Sequence, residues 1–281
     1  MTHAVTWLDV FTNVPLAGNG LCVVHDADDL DDATMLAVAR ETRLSETTFV
    51  QTPTVDGADY RNRIYAMQGE LPFAGHPSLG TAVAVARARG VSTARYVQQT
   101  HAGLQPIEVQ LDGASARASM LQGPATTGSE PDPARVLAAV GLDAGDAHPE
   151  WRPQVVSTGA PHLMAPVRDG EALARAVAGA ALPALIEELG VICIYLAAVD
   201  GETAWARSFF LGETGVLEDP ATGSAVGPLL AYVAARCEVR ALRVQQGAQI
   251  GRPSTLEASV EGEEIRVAGD VVVLAEGRSV H

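Results

Sequence analysis

The sequence predicts an α+β fold of two similar halves, each a curved sheet wrapped around one buried helix, with a cleft between them. The first observation behind this is a faint duplication. His76-Pro77-Ser78-Leu79-Gly80-Thr81-Ala82-Val83 aligns with Asp219-Pro220-Ala221-Thr222-Gly223-Ser224-Ala225-Val226; both show Pro, two residues, Gly, a hydroxyl residue, Ala and Val. Upstream, Thr12-Asn13-Val14-Pro15 answers Thr158-Gly159-Ala160-Pro161, and downstream Val97-Gln98-Gln99 answers Val244-Gln245-Gln246. Three pairs in one order at nearly one offset mark two copies of a supersecondary plan. The second observation is that Ala82–Ala86 and Leu229–Ala235 are apolar on nearly every face. Such a helix is surrounded by protein. The third is the short alternating segments rich in Val, Ile and Tyr that flank both helices.

Strand character falls at Tyr60–Ala66, Ile107–Leu111, Gln154–Ser157, Val191–Val199 and Val271–Leu274. Amphipathic helices are expected at Asp32–Glu41, capped by Asp31 or Asp32, at Pro133–Val140, and at Gly170–Leu189 with a break near Pro183. Arg87, Arg89 and Gly90 give the first apolar helix a cationic last turn and a glycine stop. Pro228 is expected near the first turn of the second, where a missing N–H costs least. The halves are expected at 1–122 plus 271–281 and at 123–270.

At 281 residues the chain can bury a full core without staples. Its 47% hydrophobic and 19% charged residues are ordinary for a globular protein. A formal net charge of -15 argues against nucleic acid as a partner. Cys22, Cys193 and Cys237 form no CxxC pair, which leaves no disulfide framework or zinc site. His3, His25, His101, His148 and His281 form no metal-binding spacing. The N-terminus lacks a signal-peptide pattern, and no apolar run nears the ~18 residues that span a bilayer. A cytoplasmic protein without membrane partner is expected, a homodimer being the commonest assembly.

No nucleophile elbow, P-loop or GxGxxG fingerprint is present. What remains is the matched pair of Pro-x-x-Gly segments. Each marks a helix start, where unpaired N–H groups and a partial positive charge suit a carboxylate or phosphate. Each is preceded by a titratable residue, His76 or Asp219. Alternatively, Gly80, Gly223 and the prolines shape tight turns. Glu46, in Leu44-Ser45-Glu46-Thr47, stands where a helix hands over to a strand, and position alone would make it a solvated turn residue. His162 lines the cleft or is structural, and Asn19, between Gly18 and Gly20, reads as a turn residue.

These motifs, in this order, resemble the phenazine-biosynthesis PhzF-like family, on the diaminopimelate-epimerase-like fold. Leu8-Asp9-Val10-Phe11-Thr12 with Gly18-Asn19 resembles its opening strand and turn. Arg40-Glu41 with Leu44-Ser45-Glu46-Thr47 resembles the segment of its catalytic glutamate. Phe73-Ala74-Gly75-His76-Pro77 with Leu79-Gly80-Thr81-Ala82 resembles its first helix start. Glu218-Asp219-Pro220-Ala221-Thr222-Gly223-Ser224-Ala225 resembles the second and is the most specific, and Gly251-Arg252-Pro253-Ser254 resembles a late turn.

The resemblance implies two pseudo-symmetric halves with mostly antiparallel sheets and the active site between them, no cofactor, and proton transfer on a small-molecule carboxylate. In the best-understood members that substrate is a cyclohexadiene amino acid related to anthranilate. Glu46 would move the proton between carbons, with Asp219 and His76 as further catalytic residues. Gly75, His76, Gly223 and Ser224 would hold the substrate. Two departures stand out. Gly20 replaces the family's usual Pro after Gly-Asn. Neither helix start carries the cysteine that diaminopimelate epimerase uses, which excludes two-thiol epimerisation. An epimerase or racemase using Glu46 with Asp219, and a small-ligand-binding protein without turnover, are the other readings.

Overall fold

The computed structural model describes residues 2–212 and 215–280; His281, counted among the histidines above, lies outside the described residues. The chain divides into two compact units, Met1–Leu121 with Ala268–His281, and Gln122–Val267. Both are mixed and strand-rich, with few helices.

The first unit contains β1 (Thr2–Val10), β2 (Asn19–Val24), α1 (Asp32–Thr42), β3 (Glu46–Gln51), β4 (Tyr60–Ala66), β5 (Gly69–Leu71), α2 (Gly75–Ala88), β6 (Thr93–Thr100), β7 (Gly103–Asp112) and β8 (Ser115–Gln122). Pairing runs β1–β2 antiparallel, β2–β3 parallel, β3–β4 antiparallel, β4–β5 antiparallel, β4–β6 parallel and β6–β7 antiparallel. The second unit follows with β9 (Thr126–Thr127), α3 (Pro133–Ala139), β10 (Gln154–Ser157), β11 (Pro161–Pro166), α4 (Gly170–Arg175), α5 (Leu182–Leu189), β12 (Cys193–Asp200), β13 (Thr203–Gly212), β14 (Gly215–Asp219), α6 (Gly223–Ala234), β15 (Ala241–Gln246), β16 (Ser254–Glu261) and the start of β17 (Glu264–Val280), which from Ala268 on belongs to the first unit. Here β10–β11, β11–β12, β12–β13, β13–β14, β13–β15 and β15–β16 repeat the same sequence of antiparallel and parallel pairings. The duplication in the sequence is therefore a duplication of strand order. The end of β17 pairs with β1.

Each unit is organised around one helix. All residues of α2 from Gly75 to Ala86 are buried, and α6 is buried except at Ser224, Ala231 and Ala234. The strands around them carry a second layer on the opposite face. In the first unit, Met35 and Ala39 of α1 join Val24, Phe49 and Tyr65 in a core of their own. In the second, α3, α4 and α5 cover Leu163, Ile194, Leu196 and Phe209. A strand between two layers is buried on both faces and loses its alternation; β2 is buried at all six positions, and β12 from Cys193 to Ala198.

Helix ends follow local chemistry. Asp31 caps α1, its carboxylate accepting from the Thr34 N–H at 2.8 Å. Gly90 takes a left-handed φ of 67° just past α2. Three sequence expectations need correction. The single helix at Gly170–Leu189 is two helices, separated at Ala176–Ala181 and not at Pro183. Pro183 is instead an early residue of α5, where its missing N–H is not needed. Pro228 lies inside α6, in its second turn, so the Ser224 carbonyl lacks the donor an ordinary residue would supply. Gly80 shapes no turn: it sits mid-helix, where a Cβ would come within 2.6 Å of Leu21, 2.8 Å of Leu8 and 2.9 Å of Val10.

That close approach has a measurable sign. An exposed helical glycine replaced by alanine gains up to ~1 kcal/mol. Gly80→Ala should instead lose roughly 1–3 kcal/mol through overpacking, seen as a lower urea midpoint with an unchanged slope. A raised midpoint would contradict the packing of α2 on β1 and β2.

Candidate active site

In the first unit, α1 ends on Arg43, whose left-handed φ of 53° turns the chain into β3. Glu46 opens that strand opposite Leu21 of β2. The hydroxyls of Thr42 and Thr47 meet at 2.7 Å and tie the turn to the strand. The result is not a solvated turn residue: the Glu46 side chain is 16% exposed, and its Oε2 stands 3.3 Å from Nε2 of His76. His76 is the second residue of α2 and is buried. Its Nδ1 lies 3.2 Å from the amide of Asn19, and Ser45 donates to the Asn19 carbonyl oxygen at 3.5 Å. Asn19 is thus no turn residue but the buried first residue of β2, packed against the candidate imidazole. Gly20, beside it, reaches the same ring through its backbone.

Burial pushes the His76 pKa down to about 3, against the opposing hydrogen bond to Gly20. At neutral pH the ring beside Glu46 therefore carries no charge.

The helices differ in how they begin: α1, α3 and α4 are capped by the side chains of Asp31, Asp132 and Asp169, whereas α5 begins on Ala181 with no side-chain cap bond. The cap position of α2 is Ala74, which has no side-chain acceptor; that of α6 is Thr222, which makes no side-chain cap bond. At both starts the first-turn N–H groups therefore lack the side-chain acceptor that such caps supply. Gly75 and His76 stand at the first of these starts, Gly223 and the half-buried Ser224 at the second.

Asp219 ends β14 in the second unit, opposite Ser208, and accepts from the Thr222 hydroxyl at 2.7 Å. Gln122 donates to the Gly223 carbonyl at 3.0 Å. Glu46 and His76 are thus together in one unit, and Asp219, Gly223 and Ser224 are together in the other. His162 belongs to neither set of contacts. It is fully buried in β11, with Nδ1 3.1 Å from the Cys193 sulfur; burial drives the imidazole down to about 3 and the thiol up to about 12. Among the described residues no three His, Cys, Asp or Glu side chains cluster as metal ligands would.

Sequence reasoning missed Asn19, Thr222 and two glutamines. Gln98 donates to the Ser78 hydroxyl at 2.7 Å, and Gln246 to the Thr222 hydroxyl at 3.1 Å. The signal was the repeated Gln-Gln pair, since a polar residue repeated inside buried strands needs a buried partner.

Two neutral buried histidines make stability depend on pH with a defined sign. Their folded pKa values lie below the ordinary 6.5, so the unfolded chain takes up protons first. Their contribution is full above pH 6.5 and is lost as pH falls from 6.5 toward 3, at up to ~1.4 kcal/mol per pH unit for each. Urea titrations across that window should show His76→Asn with a slope shallower by about one proton than wild type. Equal slopes would mean that His76 titrates normally.

A family model described as phenazine biosynthesis-like protein matches residues 8–277. The trans-2,3-dihydro-3-hydroxyanthranilate isomerase of Pseudomonas aeruginosa is 35% identical, with 99% of each chain covered. A solved structure described as a predicted epimerase from the same species has a TM-score of 0.88 at 36% identity, covering 99% of each chain. A hydroxyproline epimerase from Agrobacterium vitis, 13% identical, shares the fold with a TM-score of 0.66, over 99% of this chain and 92% of its own. With the motifs at Glu46, His76 and Asp219 embedded in that match, the chain belongs to the phenazine biosynthesis-like PhzC-PhzF family of isomerases.

Proposed function

We propose that this chain, on a diaminopimelate-epimerase-like fold, is a cofactor-independent isomerase that moves a proton on a small carboxylate, with Glu46 as the acid and base. The observation that carries the reading is the Glu46 carboxylate 3.3 Å from a buried, neutral His76 at the start of an uncapped helix. The substrate class follows from the relative named for trans-2,3-dihydro-3-hydroxyanthranilate, 35% identical over nearly the whole chain.

In this scheme the Glu46 carboxylate takes a proton from one ring carbon, and the electron pair of that C–H bond spreads into the adjacent π-system. The glutamic acid so formed returns the proton to another carbon, and an enol-to-keto shift completes the isomerisation. No atom is gained or lost. The first-turn N–H groups at Gly75–His76 and Gly223–Ser224 serve the substrate's carboxylate and the negative charge that develops. His76 and Asp219 complete the acid–base set.

A second reading, an epimerase or racemase using Glu46 with Asp219, is favoured by the likeness to the solved structure described as a predicted epimerase. Deuterated water separates the two. Isomerisation places deuterium on a carbon other than the one deprotonated, whereas epimerisation places it on the same carbon with inversion.

Glu46→Gln keeps the size of the side chain but cannot accept and return a proton. Turnover of dihydro-hydroxyanthranilate should fall by roughly 10²–10⁴-fold while the unfolding midpoint stays near wild type. Ser224→Ala should raise KM more than it lowers kcat. A near wild-type rate for Glu46→Gln would move the base to Asp219 or His76.

A further inference from the structure

We propose that Thr222, braced by Gln246 and Tyr195, is a positioning residue that fixes the orientation of the Asp219 carboxylate. The inference rests on the reading that Asp219 works on the substrate, and it adds a residue set which that reading does not contain.

A threonine at a helix N-cap ordinarily turns its hydroxyl oxygen toward the N–H groups of the first turn, an interaction worth ~1 kcal/mol. Thr222 holds that position on α6 but makes no such bond. Its single hydroxyl proton goes instead to Oδ2 of Asp219 at 2.7 Å, and its oxygen accepts from Nε2 of Gln246 at 3.1 Å. The cap has been diverted to a carboxylate.

The brace behind it is fully used. Gln246 is buried, and its Nε2 donates both to the Thr222 hydroxyl and to the Asp219 backbone carbonyl at 2.8 Å. Its Oε1 accepts from the Thr222 N–H at 3.2 Å and from the Tyr195 hydroxyl at 2.8 Å. All four hydrogen-bonding positions of the amide are filled, so its orientation is fixed. Tyr195 is itself fully buried, and that burial holds its phenol far above the ordinary pKa, keeping it a donor.

The backbone is clamped on both sides of the carboxylate. Glu218, the preceding residue, forms a two-pronged pair with Arg207 at 2.9 and 2.6 Å. Arg207 also donates to the carbonyl of Ala176 at 2.6 Å, just past α4. On the other side, the loop packs on Gly247, where a Cβ would lie 2.5 Å from the Pro220 carbonyl. With the main chain held, the Thr222 hydroxyl acts on the side chain itself, at Oδ2 of Asp219.

The first unit provides an internal control. There Gln98 braces Ser78 in the same way, but the Ser78 hydroxyl donates to the Ala74 backbone carbonyl at 2.7 Å. Each unit pairs a buried glutamine with a hydroxyl near the start of its helix, although Gln98 answers Gln245 and not Gln246 in the repeat; in the second unit that hydroxyl addresses a titratable side chain, Asp219.

The test combines kinetics with crystallography of Thr222→Val and Thr222→Ser. Thr222→Val removes the donor at nearly constant volume. It should lower kcat on dihydro-hydroxyanthranilate by about 10–100-fold with KM within about threefold, as loss of an orienting partner does. Thr222→Ser should restore kcat. Crystals of Thr222→Val should show the Asp219 carboxylate rotated, and those of Thr222→Ser should show it returned. Tyr195→Phe, which loosens the brace but keeps the ring, should shift kcat the same way by less. An unmoved Asp219 in Thr222→Val, or a kcat loss that serine fails to rescue, would overturn the proposal. If wild type turns over none of the carboxylates offered, the proposed function fails, and the Asp219 rotamer still decides the role of Thr222.

Discussion

A helix buried on every side must still satisfy the N–H groups of its first turn, and that constraint organises this protein. Capping them with a side chain is worth about 1 kcal/mol per helix. The chain does so with aspartate at α1, α3 and α4, all of which pack on the outer layer. At α5 it does not, and at α2 and α6 it places Ala74 at one start and turns Thr222 away at the other. The two buried helix starts, with their partial positive charge, thus carry no side-chain cap. Surrounding these helices with strands in turn demands strands buried on both faces, such as β2 and β12, and a glycine where α2 crosses β1 and β2.

The two units set different side chains on this common scaffold. In the first, the strand after α1 delivers Glu46 to the helix start, and burial keeps its neighbour His76 uncharged. A protonated imidazole there would hold the carboxylate in an ion pair, and the neutral ring does not. In the second, the position answering His76 is Asp219, steadied by a hydroxyl instead of meeting a histidine. His162 shows what the same burial does away from a helix start: it is neutral, sealed against Cys193 and has no part in either set.

Much of this was legible before any coordinates. The three repeated segments fall at equivalent points of two identical pairing schemes, and β4 and β10 run from Tyr60 to Ala66 and from Gln154 to Ser157, as their composition predicts. Glu46, His76 and Asp219 were named from motifs. What escaped depends on long-range packing. Asn19 between two glycines carries every mark of a turn, and only the approach of α2 makes it a buried neighbour of His76. Thr222 does not stand out within its motif because its choice between helix and carboxylate is tied to Gln246, 24 residues away. Pro228 misled for the same kind of reason: tight packing around α6 tolerates a proline in its second turn that local propensity would exclude.

The central claim is that the start of α2 and Glu46, both in the first unit, address one substrate. A crystal soaked with an anthranilate-like carboxylate tests it most directly. The account predicts the carboxylate on the N–H groups of Gly75–His76, with a ring carbon within reach of Glu46. The C-terminal end of α2 offers a competing location, a pocket of about 420 Å³ lined by His25, Asp26, Arg89 and Glu276. Ligand found there, with the start of α2 and Glu46 untouched, would contradict the account.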